Sequence, residues 1–136
     1  MIEGAVMLKV KDLMRVNPPL LSQEQGLPDA VDMILNSGYL GLPVIDAGGG
    51  LIGFVSEQDL ISESYHCDSH TLVKDVMRHD PLSVSAQLSV LELAERFGKG
   101  QPKIFPVVED GIVTGLVARG QVMKSLSHSL QSCRVA

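Results

Sequence analysis

Aromatic residues are scarce in this sequence: of 136 residues, three are Phe, two are Tyr and none is Trp. A chain of this length can bury a core of its own, so aliphatic side chains must build that core. Only two cysteines occur, Cys67 and Cys133, and no C-x-x-C pair is present. We predict that both thiols are reduced, since a chain of this size does not need a disulfide to fold. The length of the chain predicts a single folded unit.

Positive charge and long apolar runs are also lacking. Eleven basic residues face sixteen acidic ones, for a net charge of -5, and no window collects five or more Lys or Arg. Nucleic acids and anionic membranes are therefore poor candidates as partners. No stretch approaches the roughly 18 uninterrupted apolar residues of a membrane span, and the first ten residues do not resemble a signal peptide. We expect a soluble, cytoplasmic protein.

Catalytic signatures are missing as well. Neither G-x-S-x-G nor H-E-x-x-H occurs. The stretch G-G-G-L-I-G, residues 48–53, formally fits the G-x-G-x-x-G dinucleotide pattern. That pattern requires the glycines to open a helix, whereas here another strand follows, so we interpret the glycines as a hairpin turn. We predict that the protein is not an enzyme.

A short polar segment leaves one alternative open. His66, Cys67 and His70 cluster in Y-H-C-D-S-H, and imidazole with thiolate suits zinc. No second ligand cluster accompanies them, so a solvated linker is the preferred interpretation. Metal binding through these residues remains an alternative function.

The chain contains an internal repeat. V-K-D-L-M-R-V-N-P at residues 10–18 returns as V-K-D-V-M-R-H-D-P at residues 73–81, an offset of 63. Pro43 matches Pro106 at the same offset, and after a one-residue deletion Gly53 matches Gly115. A match held in register over so many residues indicates two copies of one structural unit.

Each copy shows the same pattern of predicted elements. A short apolar stretch after the Pro predicts a strand, at residues 20–21 and 82–84. An amphipathic helix follows, then two buried strands around a glycine turn, then a second helix. The order β-α-β-β-α, twice over, predicts an α/β (more strictly α+β) fold with pseudo-twofold symmetry. The predicted segments are an N-terminal extension (1–9), repeat one (10–64), a linker (65–72), repeat two (73–128) and a C-terminal tail (129–136).

These motifs carry a resemblance to a known family. They are the repeated V-K-D-x-M-R, the strands L-P-V-I-D and F-P-V-V-E, and the segment G-F-V-S-E-Q-D. In these motifs the chain resembles a tandem pair of cystathionine-β-synthase (CBS) domains, a Bateman module, over residues 10–126. The form that it resembles is the stand-alone one. The resemblance implies regulation rather than catalysis, with an adenosyl ligand such as AMP, ADP, ATP, S-adenosylmethionine or NAD bound in clefts between the repeats. The resemblance further implies that the protein requires no other cofactor and that it forms disc-like homodimers.

The resemblance also assigns roles at two strand-to-helix junctions. At residues 56–59, which we call the first corner, it implies that Ser56 contacts ribose or phosphate and that the Asp59 carboxylate accepts hydrogen bonds from the ribose hydroxyls. The alternative interpretation is that both residues only cap the helix. At residues 118–121, the second corner, Ala118 and Gln121 replace the hydroxyl and the carboxylate. We therefore predict one competent site and one degenerate site.

Further ligand contacts are implied around these corners. Lys103, from the repeat opposite Asp59, is the leading candidate for a phosphate contact, with Arg78 and Arg119 as lesser ones. The remaining implied residues would flank the adenine with apolar surface. They are Leu20, Leu21, Ser22, Gly41, Leu42 and Pro43 in repeat one, and Ile104 and Phe105 in repeat two.

The resulting hypothesis is a regulatory module that senses energy or metabolite state by binding an adenine nucleotide. A different class of function, a ligand-free module for dimerisation or protein interaction, remains open because the second corner is degenerate. A regulated protein partner would bind exposed apolar faces of the second helices. We expect these faces around Leu60, Ile61, Val122, Met123 and Leu126.

Overall fold

The computed structural model describes residues 8–63, 70–98 and 102–134, with side chains described as far as residue 127. The order of helices and strands is close to the one that the repeat predicts, with an additional four-residue helix at the start of each copy. In chain order they are α1 (Val10–Leu13), β1 (Arg15–Val16), β2 (Leu21–Ser22), α2 (Leu27–Ser37), β3 (Gly41–Ile45), β4 (Leu51–Ser56), α3 (Glu57–Glu63), α4 (Val73–Val76), α5 (Val90–Phe97), β5 (Ile104–Glu109), β6 (Ile112–Ala118) and α6 (Arg119–Arg134).

The chain forms two compact units, and neither is continuous in sequence. Unit 1 contains residues up to 16 together with 83–109 and the segment from 114 onward, and unit 2 contains residues 17–82 and 110–113. The first residues of each repeat therefore belong to the unit that the other repeat mainly builds. We call residues 10–15 and 73–78 the leading segments.

Equivalent hydrogen bonds hold the two leading segments. In unit 1 the N–H of Val10 donates to the carbonyl of Leu88 at 2.9 Å. In unit 2 the N–H of Val73 donates to the carbonyl of Gln25 at 2.8 Å. Val10 and Val73 are both fully buried, so each leading segment contributes to the core of its unit.

Unit 2 is built around a three-stranded sheet in the order β2-β3-β4. β2 and β3 are parallel, with Leu21 opposite Val44, and α2 is the crossover between them, as parallel strands require. β4 returns antiparallel to β3 through the glycine turn, so Gly41 lies opposite Ser56. The buried apolar side chains of this unit are Leu21, Leu27, Ala30, Ile34, Leu42, Pro43, Val44, Val55, Leu60, Val73 and Val113.

Unit 1 contains the second sheet, in the order β1-β6-β5. β1 comes from the leading segment and pairs antiparallel with β6, with Arg15 opposite Leu116. The only aromatic pair described is that of Phe97 and Phe105, whose ring centroids are 5.2 Å apart. The rest of the core is aliphatic, as the composition predicts: Val10, Val84, Ala86, Val90, Leu93, Val107, Val117 and Val122.

Residues that favour helix ends mark the observed boundaries of α2 and α5. α2 has Pro28 in its first turn and ends at Gly38, whose φ is 80°, a left-handed conformation that glycine adopts without strain. Ser89 caps α5 by accepting a hydrogen bond from the N–H of Glu92 at 3.2 Å. The strand predicted at residues 82–84 is reduced to one bridge, between Val84 and Val107.

One sequence expectation about surfaces is partly wrong. Leu60 and Val122 are buried within their own units, with 9% and 3% of their surface exposed. Leu126 packs against the core of unit 1. Only Ile61 and Met123 of the five predicted residues are largely exposed, at 57% and 61%. The error arises because a helix buries only one side, so that adjacent apolar residues such as Leu60 and Ile61 point in different directions.

Among the described residues, no helix is long and apolar enough to cross a membrane. No group of three or more His, Cys, Asp or Glu in the described ranges could hold a metal ion. His66 and Cys67 lie outside those ranges, so the metal-binding alternative stays untested.

Candidate functional site

The first corner is organised by reciprocal hydrogen bonds between Ser56 and Asp59. The N–H of Asp59 donates to Ser56 Oγ at 3.2 Å, and the N–H of Ser56 donates to Asp59 Oδ2 at 3.0 Å. This pattern is a capping box, in which two backbone donors at the start of α3 are satisfied. Ser56 Oγ also donates to Asp59 Oδ2 at 2.9 Å. Both side chains therefore cap the helix, and the carboxylate is held in a fixed position at the end of β4.

Arg78 adds a charge to this corner. Its Nε lies 3.2 Å from Asp59 Oδ1 and 3.3 Å from Asp59 Oδ2. The Asp59 side chain is 16% exposed, whereas that of Arg78 is 66% exposed. The sequence indicated Arg78 only as a phosphate candidate, and nothing in it signalled this ion pair, since 19 residues separate the partners.

Main-chain contacts place Arg78 beside Asp59. The N–H of Phe54 donates to the Arg78 carbonyl at 3.1 Å, and the N–H of Arg78 donates to the Phe54 carbonyl at 2.9 Å. This bridge lies beside Gly53, where an added Cβ would come within 3.1 Å of the Arg78 carbonyl oxygen. The glycine of G-F-V-S therefore allows the second leading segment to approach β4.

Gly41 completes the first corner from the neighbouring strand. It pairs with Ser56 across β3 and β4. A Cβ at this position would lie 2.6 Å from the carbonyl oxygen of Val55 and 2.9 Å from the Cα of Ser56. The N–H of Glu57 donates to the carbonyl of Leu40 at 2.8 Å, which fixes the start of α3 against the start of β3.

The second corner, in unit 1, has the same backbone geometry with different side chains. Gln121 takes the place of Asp59: its Oε1 accepts from the N–H of Ala118 at 2.7 Å, and its Nε2 donates to the carbonyl of Leu13 at 2.7 Å. The backbone thus satisfies both ends of the amide. The N–H of Arg119 donates to the carbonyl of Lys103 at 2.9 Å.

The two corners therefore differ in charge as well as in hydrogen bonding. The positions of Leu40 and Glu57 in the first corner are taken by Lys103 and Arg119 in the second. Both cations are exposed. Their contact with a phosphate stays a prediction.

The residues predicted to flank adenine are not all close to the first corner. Leu21 and Ser22 lie opposite Val44 and Ile45, at the far end of β3 from Gly41. With Leu20 they line a cavity of about 370 Å³, which residues 23–24 and 45–47 complete.

Several of the predicted contact residues are core residues. The side chains of Leu21, Leu42, Pro43 and Phe105 are fully buried, and Ile104 is 7% exposed. Their roles in binding stay predictions.

Comparison with known proteins identifies the fold. The family model described as "CBS domain" matches residues 10–66 and 73–128. The structure of CBSX2 in complex with AMP has a TM-score of 0.78 and 26% identity, over 88% of this chain and 96% of that one. CBSX2 from Arabidopsis thaliana, in a second structure, has a TM-score of 0.73 and 28% identity, over 94% and 98% of the two chains.

Curated relatives include much longer proteins. An A-adding tRNA nucleotidyltransferase of Aquifex aeolicus is 31% identical over 93% of this chain, and an inosine-5'-monophosphate dehydrogenase of Nitrosopumilus maritimus is 29% identical over 89%. The chain spans only 15% and 25% of those two proteins. What the likeness covers is therefore the repeated unit, and the two matched segments show that the chain belongs to the CBS domain family, as a tandem pair.

Proposed function

We propose that this CBS pair is a regulatory module that binds an adenosyl ligand and has no catalytic role of its own. The observation that carries the proposal is the Asp59 carboxylate, which is fixed by the capping box and still partly exposed. A ribose offers two adjacent hydroxyl donors, and hydrogen bonds from them to a carboxylate are charge-assisted, worth about 1.5–3 kcal/mol each. Support for the ligand class comes from CBSX2, which is similar over nearly its whole length and whose structure contains AMP.

The two corners are proposed to differ in affinity. Asp59 is anionic, whereas the amide of Gln121 is neutral and already bonded at both ends to the backbone. A diol at the second corner would have to displace one of those bonds without charge assistance. We therefore assign ribose binding to the first corner, with Ser56 and Asp59 as its contacts.

Calorimetric titration with AMP tests this assignment. Asp59→Ala should weaken AMP by about tenfold or more, because a tenfold loss corresponds to only about 1.4 kcal/mol, less than one charge-assisted bond. Gln121→Ala is the matched control and should change the affinity less than about twofold. Equal affinity of wild type and Asp59→Ala would refute the assignment.

Stability must be measured beside affinity in this experiment. Both substitutions remove a side chain that accepts a hydrogen bond from a backbone N–H, and loss of such a cap costs about 0.5–2 kcal/mol of folding stability. Far-ultraviolet circular dichroism melts of both variants therefore set the titration temperature well below the lower transition. A loss of affinity confined to Asp59→Ala then reports on ribose binding rather than on unfolding.

The finer role follows from the ligand class. The module is proposed to sense an energy or metabolite signal by binding the nucleotide more tightly in one of two states of a homodimer or a partner complex. A thermal-shift panel of AMP, ADP, ATP, S-adenosylmethionine and NAD identifies the ligand. At a hundredfold excess over its dissociation constant, a ligand stabilises the fold by about 2.7 kcal/mol.

A second candidate function is a ligand-free dimerisation module. Its supporting observation is that Ser56 and Asp59 already satisfy each other and the start of α3, so they have a structural role without any ligand. The same panel separates the two functions. A dimer in sedimentation experiments that shows no shift with any of the five compounds would favour the second.

A further inference from the structure

Arg78 forms an ion pair with Asp59, the carboxylate that the proposed function assigns to ribose. We infer that Arg78 competes with the ligand for this carboxylate. The inference rests on the proposed function, because it concerns the regulation of the same site. The Arg78 guanidinium must leave Asp59 before both ribose hydroxyls can bind, so the ion pair blocks the first corner when no ligand is present.

The available hydrogen-bond acceptors at Asp59 support this inference. A carboxylate offers about four lone-pair sites, two on each oxygen. Oδ2 accepts from the N–H and the hydroxyl of Ser56 at 3.0 and 2.9 Å, and these two bonds fill it. Arg78 Nε is shared between the two oxygens, at 3.2 Å from Oδ1 and 3.3 Å from Oδ2, and we count its bond at Oδ1 because Oδ2 is already filled. One site then remains, which is too few for the two hydroxyls of a ribose.

The ion pair is also of a kind that a ligand can displace. The Arg78 side chain is 66% exposed and engages the carboxylate through Nε alone, so it lacks the paired, parallel bonds of the strongest Arg–carboxylate contacts. Exposed pairs of this kind change an equilibrium by about 1.5- to 5-fold. The main chain of Arg78 is fixed by its bridge to Phe54, so displacement requires only a rotation of the side chain.

The second corner provides an internal comparison. Arg15 is the residue of the first leading segment that matches Arg78. The residue that takes the place of Asp59 at this corner is Gln121, a neutral amide whose Nε2 donates to the carbonyl of Leu13. The described bonds of Gln121 thus involve backbone atoms and no guanidinium. Competition through charge is therefore specific to the corner that carries a carboxylate.

The test measures the affinity for adenosine in wild type, Arg78→Gln and the matched control Arg15→Gln. Adenosine has the ribose diol but no phosphate with which a free guanidinium could form a compensating contact. Arg78→Gln should bind adenosine about 1.5- to 5-fold more tightly than wild type, whereas Arg15→Gln should match wild type. Since the Arg78 side chain is exposed, Arg78→Gln should keep its fold, which its melting curve checks.

Salt provides a second readout that does not depend on the size of the substituted side chain. Raising NaCl from about 0.05 M to about 1 M screens an exposed ion pair. The advantage of Arg78→Gln over wild type should therefore shrink toward unity at high salt. An advantage that is independent of salt would contradict competition by charge.

The outcomes distinguish this inference from the proposed function. If Asp59→Ala abolishes adenosine binding while Arg78→Gln binds adenosine as weakly as wild type or more weakly, the ribose site stands and the competition is refuted. If neither wild type nor Arg78→Gln binds adenosine or AMP, the proposed function fails and the inference fails with it. If Arg78→Gln binds adenosine more tightly than wild type while Arg15→Gln does not, and if this difference disappears at high salt, the result supports both the proposed function and the competition.

Discussion

Replacement of Gly41 by Ala should destabilise the fold strongly, because the first corner has no room for a methyl group. An added Cβ would lie 2.6 Å from the carbonyl oxygen of Val55 and 2.9 Å from the Cα of Ser56, both of them main-chain atoms. It would also lie 2.6 Å from Cε1 of Phe54. A side chain alone could move aside, but main-chain atoms move only if β3 and β4 separate at this end.

The magnitude follows from these distances. Overpacking costs about 1–3 kcal/mol, and the main-chain obstacles place Gly41→Ala at the upper end of that range. Gly41 is not among the glycines with positive φ, which are Gly38, Gly49 and Gly111, so backbone strain adds nothing. Alanine also lowers the conformational entropy of the unfolded chain, which stabilises the folded state by about 0.4–1 kcal/mol and offsets part of the loss. A net loss of about 2–2.6 kcal/mol in the free energy of unfolding should lower the melting temperature by roughly 8–10 °C.

Thermal unfolding followed by circular dichroism measures this loss, with Gly120→Ala as the control. Gly120 is the second residue of α6, and an added Cβ there meets nothing within 4 Å, so this variant should be at least as stable as wild type. A Gly41→Ala protein that melts within about 2 °C of wild type, less than the shift from 1 kcal/mol, would refute the close approach of β3 and β4 at the first corner.

Two further predictions concern unit 1. Phe105→Ala should lower the free energy of unfolding by about 3–5 kcal/mol, because the ring is fully buried and packs on Phe97. Urea unfolding should show a lower midpoint with an unchanged slope, and a midpoint equal to that of wild type would contradict the burial. Ser89→Ala should cost about 1 kcal/mol through the lost cap of α5, whereas Ser89→Asp, which keeps an acceptor, should stay within about 0.5 kcal/mol of wild type in the same assay.

Much of the fold could be predicted from sequence because its signals are local. The helix period, Pro28 and Gly38 determine α2, and Ser89 with Glu92 marks the start of α5. The leading segments gave no such signal. Four residues of helix are too short for a recognisable period, and their hydrogen bonds go to residues far along the chain. The sequence therefore did not indicate that each unit takes its first residues from the other repeat.

The candidate site was predictable to a similar extent. The spacing of Ser56 and Asp59 predicts a hydroxyl and a carboxylate at one corner, and the structure places them there in contact. The pattern could not reveal whether the carboxylate is available to a ligand. That depends on Arg78, which reaches Asp59 only because the second leading segment pairs with Phe54. Contacts of this kind depend on tertiary structure and have no signature in spacing.

The exchange of leading segments also constrains the order of folding during synthesis. Unit 2 draws nearly all of its residues from one continuous stretch, 17–82, so most of it can assemble as soon as that stretch has left the ribosome. Residues 8–16 emerge earlier, yet their unit lacks its main part until residue 83 and beyond appear. At about 5–20 residues per second, the 72 residues from Val16 to Leu88 take roughly 4–15 s to make. During that interval Val10, which is fully buried in the finished protein, remains without its native partners, and a chaperone acting on the nascent chain would find an apolar target in the first leading segment.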